Sequence, residues 1–320
     1  MEANFDKNIN FKNIGSNPKI LSNTMKNFVA RIALTLLFAF VIFTFIANPS
    51  KYMGVFLDGI TAWAHNVLPV LFPFALLSTL YSKGIRQGKV SLTKKLFNIP
   101  CNDTFLISIL CGYPAGAKAI SELDIDNNIA TAMCSFCSTP SIIFIVATVG
   151  YLLQNTTAIA IICISQLVAM ILNGLLYTAN KKYNCVVKDR ALLSFDFGST
   201  LTNSILATLS VGALIALFFV FAEMIQSLLP TDISQHPAVF FAIGLMEMTS
   251  GILKICSSCP TFVATVCTSA LLAFGGICIA LQSFTFVTQK GVRLADIIKM
   301  KCTQCAFATI TAFILATIFL

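Results

Sequence analysis

Two stretches of this 320-residue chain set helix-breaking residues beside charge in apolar surroundings. The first is Cys111–Gly112–Tyr113–Pro114–Ala115–Gly116, followed by Lys118 and Glu122. The second is Thr249–Ser250–Gly251, with Glu247 just before it and Lys254 just after. Gly and Pro interrupt helical hydrogen bonding, and the broken ends expose unpaired N–H and C=O groups. N–H groups at the start of a half-helix favour anions, and carbonyls at the end of one favour cations. Lys118 would add positive charge for an anion. Glu247 follows the apolar run Ala242–Met246 and could hold a proton or a cation. A charge in the bilayer core costs at least about 2.5–3.5 kcal/mol, so such residues are expected to face inward and to have a function. The competing reading is that Lys118, Glu122 and Lys254 reach to the membrane interface.

Two further interruptions follow these breaks by roughly 26–28 residues. One is Cys137–Ser138–Thr139–Pro140–Ser141. The other is Phe274–Gly275–Gly276 with Gln282–Ser283. Small residues in a membrane helix often serve only close packing. Matching positions in two halves of a chain favour a shared central site. The candidate substrate-binding set is therefore Gly112, Tyr113, Pro114, Gly116, Lys118, Ser138, Thr139, Glu247, Thr249, Gly251, Gly275, Gly276 and Gln282.

Other chemistries find little to stand on. The twelve cysteines include the C-x-x-C pairs Cys134/Cys137, Cys256/Cys259 and Cys302/Cys305, but these lie in different apolar segments. Four converging ligands for zinc are not expected. Neither a metal nor a cofactor is expected. A phosphate-binding P-loop, a G-x-S-x-G elbow and an H-E-x-x-H motif are all missing from the sequence, so it is not read as an enzyme.

The elements that must position these residues are membrane helices. Hydrophobic residues make up 57% and charged residues 11% of the chain, against about 25% charged in soluble domains. The net charge of +8 is read as a topology signal, with the lipid bilayer and not nucleic acid as the partner. Lys and Arg fall in clusters at 7–26, 83–95, 181–190 and 290–301; apart from these stand only Arg31, Lys51, Lys118 and Lys254.

Placing all four clusters on the cytoplasmic side forces a topology. Residues 1–27 form a cytoplasmic tail. Residues 28–66 hold an anchor helix, Phe28–Ala47, and an interfacial helix, Tyr52–Asn66. Val67–Tyr81 returns inward. Residues 104–128 must then dip in and come back, because two full spans there would put 181–190 outside. Ile129–Leu153 and Thr157–Ala179 cross, as do Leu201–Met224, Thr261–Val287 and Thr303–Leu320, while Pro237–Cys259 dips from the outer face. The expected fold is an all-α integral membrane protein with about seven transmembrane helices and two re-entrant segments. Residues 67–179 and 201–320 form an inverted repeat, an arrangement typical of secondary transporters.

Several of these stretches resemble blocks of the YlbJ/SpoVV sporulation integral membrane proteins. Cys111–Lys118 with Glu122–Leu123 is similar to SGYPxGAK…L, and Ser135–Ile145 to FCNxxSPxFI. Gly244–Gly251 is similar to LExTxG, Ala273–Gln282 to SFGGLxVxxQ, and Leu68–Phe74 to LPxLFPF. The blocks keep their order from about residue 60 to 290. The family asparagine is Ser138 here, and the family order Ser-Pro becomes Thr139–Pro140–Ser141. The resemblance implies a nucleoside-recognition (Gate) domain distantly related to concentrative nucleoside transporters. It also implies a role in spore formation, at the outer forespore membrane, with dipicolinate as the solute moved.

The resulting expectation is a secondary transporter of a small anionic solute, dipicolinate-like where the family role holds. A coupling proton or cation would bind at Glu247, the N-terminus would be cytoplasmic, and an oligomer is compatible with this. The alternative is a membrane scaffold or receptor that keeps the fold without transport.

Overall fold

The computed structural model describes residues 38–69, 71–73, 92–179 and 197–320, with 31, 32, 35, 36, 76 and 183. The expected 1–27 tail, most of the Val67–Tyr81 span and most of the basic residues at 83–95 and 181–190 lie outside the described residues. Met1–Tyr52 and Met53–Leu320 are two compact units. In the first, Phe38–Ala47 is helical and Phe45 stacks on Tyr52. Everything below concerns the second.

Its described elements are all helical. They are α1 (Pro49–Ala62), α2 (Leu92–Phe97), α3 (Asn102–Cys111), α4 (Ala115–Glu122), α5 (Asn127–Cys134), α6 (Ile142–Leu153), α7 (Thr156–Thr178) and α8 (Phe197–Gln226). After a short turn come α9 (Pro237–Met246), α10 (Met248–Ser258), α11 (Thr261–Phe274), α12 (Gly276–Val287) and α13 (Leu294–Phe319). Four described helices are long and apolar enough to cross a membrane: α7, α8, α11 with α12, and α13. Counting the bent pair Phe38–Ala47 and Pro49–Val67 gives five. Four or five of the seven expected spans are thus found among the described residues, and most of Val67–Tyr81 lies outside them. Ile129–Leu153 is not a continuous helix, because the chain is non-helical from Ser135 to Ser141. Pro140 and the small polar residues around it explain the break. The last span starts at Leu294, nine residues before the expected Thr303.

The frame is α7, α11 and α13. Asn155 caps α7 by accepting from the Ala158 N–H at 3.0 Å, and its 23 residues rise about 34 Å, enough to span a bilayer. α13 turns Ile297, Lys301, Gln304, Ala308, Ala312 and Ala316 inward. The alanines let α7 and α11 approach closely, through Ile161 and Ala169 on one and Ala273 on the other. A polar seam fastens the three helices. Gln166 donates to the Ser269 carbonyl at 2.8 Å, the Ser165 and Ser269 hydroxyls meet at 2.6 Å, and Asn173 accepts from Thr303 at 2.6 Å. The outward faces stay apolar, as Leu172, Leu176, Ile310, Phe313 and Ile314 show, which suits lipid.

Around this frame sit two helical hairpins. In the first, Phe105 on α3 and Ala117 and Ile120 on α4 share one core cluster with Phe97. Both arms start from the same place. Asn102 accepts from Thr93 at 3.1 Å on one side, and the Leu123 carbonyl accepts from Lys290 on the other. Tyr183 packs on this cluster too. Described residues of three of the four basic stretches, Thr93, Tyr183 and Lys290, thus lie against the first hairpin and its core cluster. In the second hairpin, α9 and α10 join through Glu247 alone, which is extended (φ −136°, ψ 110°). Gln226 closes its base by donating to the Ser234 carbonyl at 2.9 Å and accepting from Lys254. The 30-residue span Thr261–Lys290 runs from the base of the second hairpin to the base of the first, so the hairpins enter from opposite ends.

Candidate functional site

Each hairpin tip rests on another break in the chain. At the first tip Gly112 has φ +75°, and a Cβ there would lie 2.5 Å from the Ser141 amide nitrogen. Tyr113 N–H donates to the Thr139 carbonyl at 2.9 Å. A Cβ on Gly116 would lie 2.0 Å from the Cys137 carbonyl oxygen. The tip thus lies antiparallel along the unwound 137–141 segment. At the second tip the same logic recurs. Gly275 and Gly276 both have φ +79°, and a Cβ on Gly276 would meet the Met246 carbonyl oxygen at 2.9 Å. The hairpin arms themselves touch backbone to backbone, with a Gly251 Cβ only 2.3 Å from the Gly244 Cα.

Tyr113 joins the two assemblies. Its hydroxyl lies 2.8 Å from the Met248 sulfur and donates to the Leu272 carbonyl at 3.2 Å. Beside it is a cavity of about 50 Å³. Tyr113, Pro114, Glu247, Thr249 and Gln282 line it, with Asn66, Ser141, Met248 and Ile279. Glu247 is buried at 2% exposure. Its two carboxylate oxygens accept from the N–H groups of Thr249 (3.0 Å) and Ser250 (2.7 Å). It therefore caps α10, and the positive end of that helix stabilises the negative charge.

The sequence-predicted residues divide by position. Five of them, Tyr113, Pro114, Glu247, Thr249 and Gln282, share the cavity wall. The glycines Gly112, Gly116, Gly251, Gly275 and Gly276 do not line it; they permit the close backbone contacts that build it. Thr139 offers its carbonyl to Tyr113, and Ser138 lies by a separate small cavity. Lys118 lines neither of these; it lines a third small cavity with Pro114, Thr208 and Phe286, and Pro114 also lines the Tyr113 cavity.

Lys301 was missed. It was read as part of a solvated basic cluster, yet it is buried at 2% exposure. Its ammonium donates to the Ser138 carbonyl at 2.6 Å and lies 4.7 Å from the Tyr113 ring centre. The signal for it was helical phase, since it falls in step with Ile297, Gln304 and Ala308. Among the described residues, no three His, Cys, Asp or Glu side chains gather as they would around a metal ion.

The chain is similar to YlbJ. It is 22% identical over 333 aligned positions to the sporulation integral membrane protein YlbJ of Bacillus subtilis (strain 168). The alignment covers 87% of this chain and 81% of YlbJ. This agrees with the motif resemblance drawn from residues 68–282. No protein-family profile matches the chain, and no solved structure does.

Proposed function

We propose that this protein is a secondary membrane transporter of a small anionic solute, with dipicolinate-like acids as the first class to try. The observation that carries the reading is the meeting of two broken-helix hairpins, entering from opposite ends, at one cavity with a buried carboxylate. Hairpin tips and unwound segments near the bilayer midplane are how transporters expose backbone dipoles to a solute. The pairing of tip with break, at 112–116 on 137–141 and at 244–247 on 275–276, supports an inverted repeat of residues 67–179 and 201–320. Glu247 is the position for a coupling proton or cation. The similarity to YlbJ supports a place in sporulation, at the outer forespore membrane with the N-terminus in the cytoplasm.

One observation favours a second reading, a non-transporting scaffold or receptor. The cavity of about 50 Å³ is far below the roughly 300–1,000 Å³ of typical ligand pockets. A transporter must open it, whereas a scaffold need not.

The deciding experiment is uptake and efflux in proteoliposomes, with a panel of dipicolinate, nucleosides and other pyridine and pyrimidine acids. Saturable movement of an anionic member supports transport. No movement of any member, from protein shown to be folded and inserted, favours the scaffold.

A further inference from the structure

The Lys301 ammonium has more donors than the Ser138 carbonyl uses. An ammonium carries three, and one goes to the Ser138 carbonyl. The face of Tyr113 takes up part of the charge. The same residue lines a second, smaller cavity of about 10 Å³ together with Ser138, Ser283, Cys134 and Cys137. The hydroxyls of Ser138 and Ser283 are buried there and have no hydrogen-bond partner in the protein. No Asp or Glu lines this cavity, so no carboxylate side chain balances the lysine from its walls. A buried charge left without a counter-charge is expensive. One cation and two hydroxyl donors thus surround a space close to that of one water, about 10–15 Å³. Such a set fits a small anion.

We propose that Lys301, Ser138 and Ser283 form an anion subsite that takes a halide-sized ion or one carboxylate oxygen of an anionic solute. Ser138 is two residues from Pro140, and Ser283 adjoins Gln282. The same two segments therefore wall the larger cavity beside Tyr113. The subsite supplies the positive charge that the sequence assigned to Lys118. It deepens the proposed function and rests on it only for the identity of the solute, not for the binding.

The test reads binding without transport. Purified full-length protein in detergent is melted at fixed ionic strength while sodium gluconate, too large for the space, is replaced stepwise by sodium chloride or sodium formate. The wild-type midpoint should rise saturably with at least one of the two small ions. Chloride alone would identify a free halide as the ligand, and formate would identify a carboxylate oxygen. The Lys301→Met variant should show no such rise. The Ser138→Ala/Ser283→Ala double variant, which keeps the charge, should need at least tenfold more anion for half the effect. That pair decides the matter if Lys301→Met does not fold. A flat wild-type response to both ions overturns the subsite, as does an unchanged response in the variants. Silent proteoliposomes would leave the subsite standing, and a flat melt would leave transport standing.

Discussion

A side-chain carbon on Gly116 would stand 2.0 Å from the Cys137 carbonyl oxygen. The obstacle is backbone, so no rotamer change relieves it. Gly116→Ala should already destabilise the protein by an amount at or above the roughly 1–3 kcal/mol typical of overpacking, and Gly116→Val by more. The check is thermal unfolding of purified variants beside wild type. A melting midpoint for Gly116→Ala within error of wild type would show that the tip does not sit on the 137–141 segment.

Glu247 is expected to hold α10 in place as well as to face the cavity. Glu247→Gln keeps one acceptor but turns an amide NH₂ toward the second backbone N–H. It should cost about 0.5–2 kcal/mol of stability, in the range of lost helix caps, and leave membrane insertion intact. Transport should be lost in the same variant, because an amide does not titrate. Wild-type transport rates at equal reconstituted protein would remove Glu247 from any coupling role and leave it a cap.

The Tyr113 hydroxyl reaches Met248 and Leu272, while its ring carries the Lys301 charge. These two roles separate by substitution. Tyr113→Phe should lose about 0.5–1.5 kcal/mol through the hydroxyl alone. Tyr113→Leu should lose more, through packing and the cation–ring pair together, and that extra loss should shrink by roughly 0.5–2 kcal/mol in a Lys301→Met background, the share of the cation–ring pair. Equal extra loss in both backgrounds would mean that the ring matters only as packing.

Residues 88 and 186 should label from the same side of the membrane when each is replaced by cysteine in a background freed of reactive thiols. Phe97, Leu123 and Tyr183 share one core cluster, and Lys290 donates to the Leu123 carbonyl. Described residues bordering both positions, Phe97 and Tyr183, thus pack on the same cluster. Labelling from opposite sides would undo the re-entrant reading of 104–128.

How far the sequence led can be judged residue by residue. Gly112, Pro114, Gly275 and Gly276 announced their breaks because Gly and Pro disturb a helix wherever they stand. The positive-inside rule calls for a dip at 104–128, and there the chain forms two short helices, α3 and α4, in place of a long one. Other features depend on partners far along the chain. Pro140 and its small polar neighbours mark an interruption within Ile129–Leu153, but that the first tip lies along the unwound Cys137–Ser141 is not visible in the sequence. Lys301 stands in a cluster of basic residues in the sequence, and composition alone does not separate one that meets water from one turned inward. Only its phase with Gln304 and Ala308 does so. Lys118, which the sequence places in the candidate set, and Lys254 both follow a break closely. One lies by α8 near Thr208, and the other ties off the base of the second hairpin at Gln226.

The hydroxyl of Tyr113 finds its acceptor 159 residues later in the chain, at Leu272. This long reach bears on how the protein is made. While the ribosome is still translating the residues between, the first hairpin has its own packing but not the contact that ties its tip to the second half. The first hairpin must wait without this contact until α10 and α11 are made. Membrane quality-control proteases would meet the protein in that interval at its least protected, and a chain stopped short of residue 272 would never leave it.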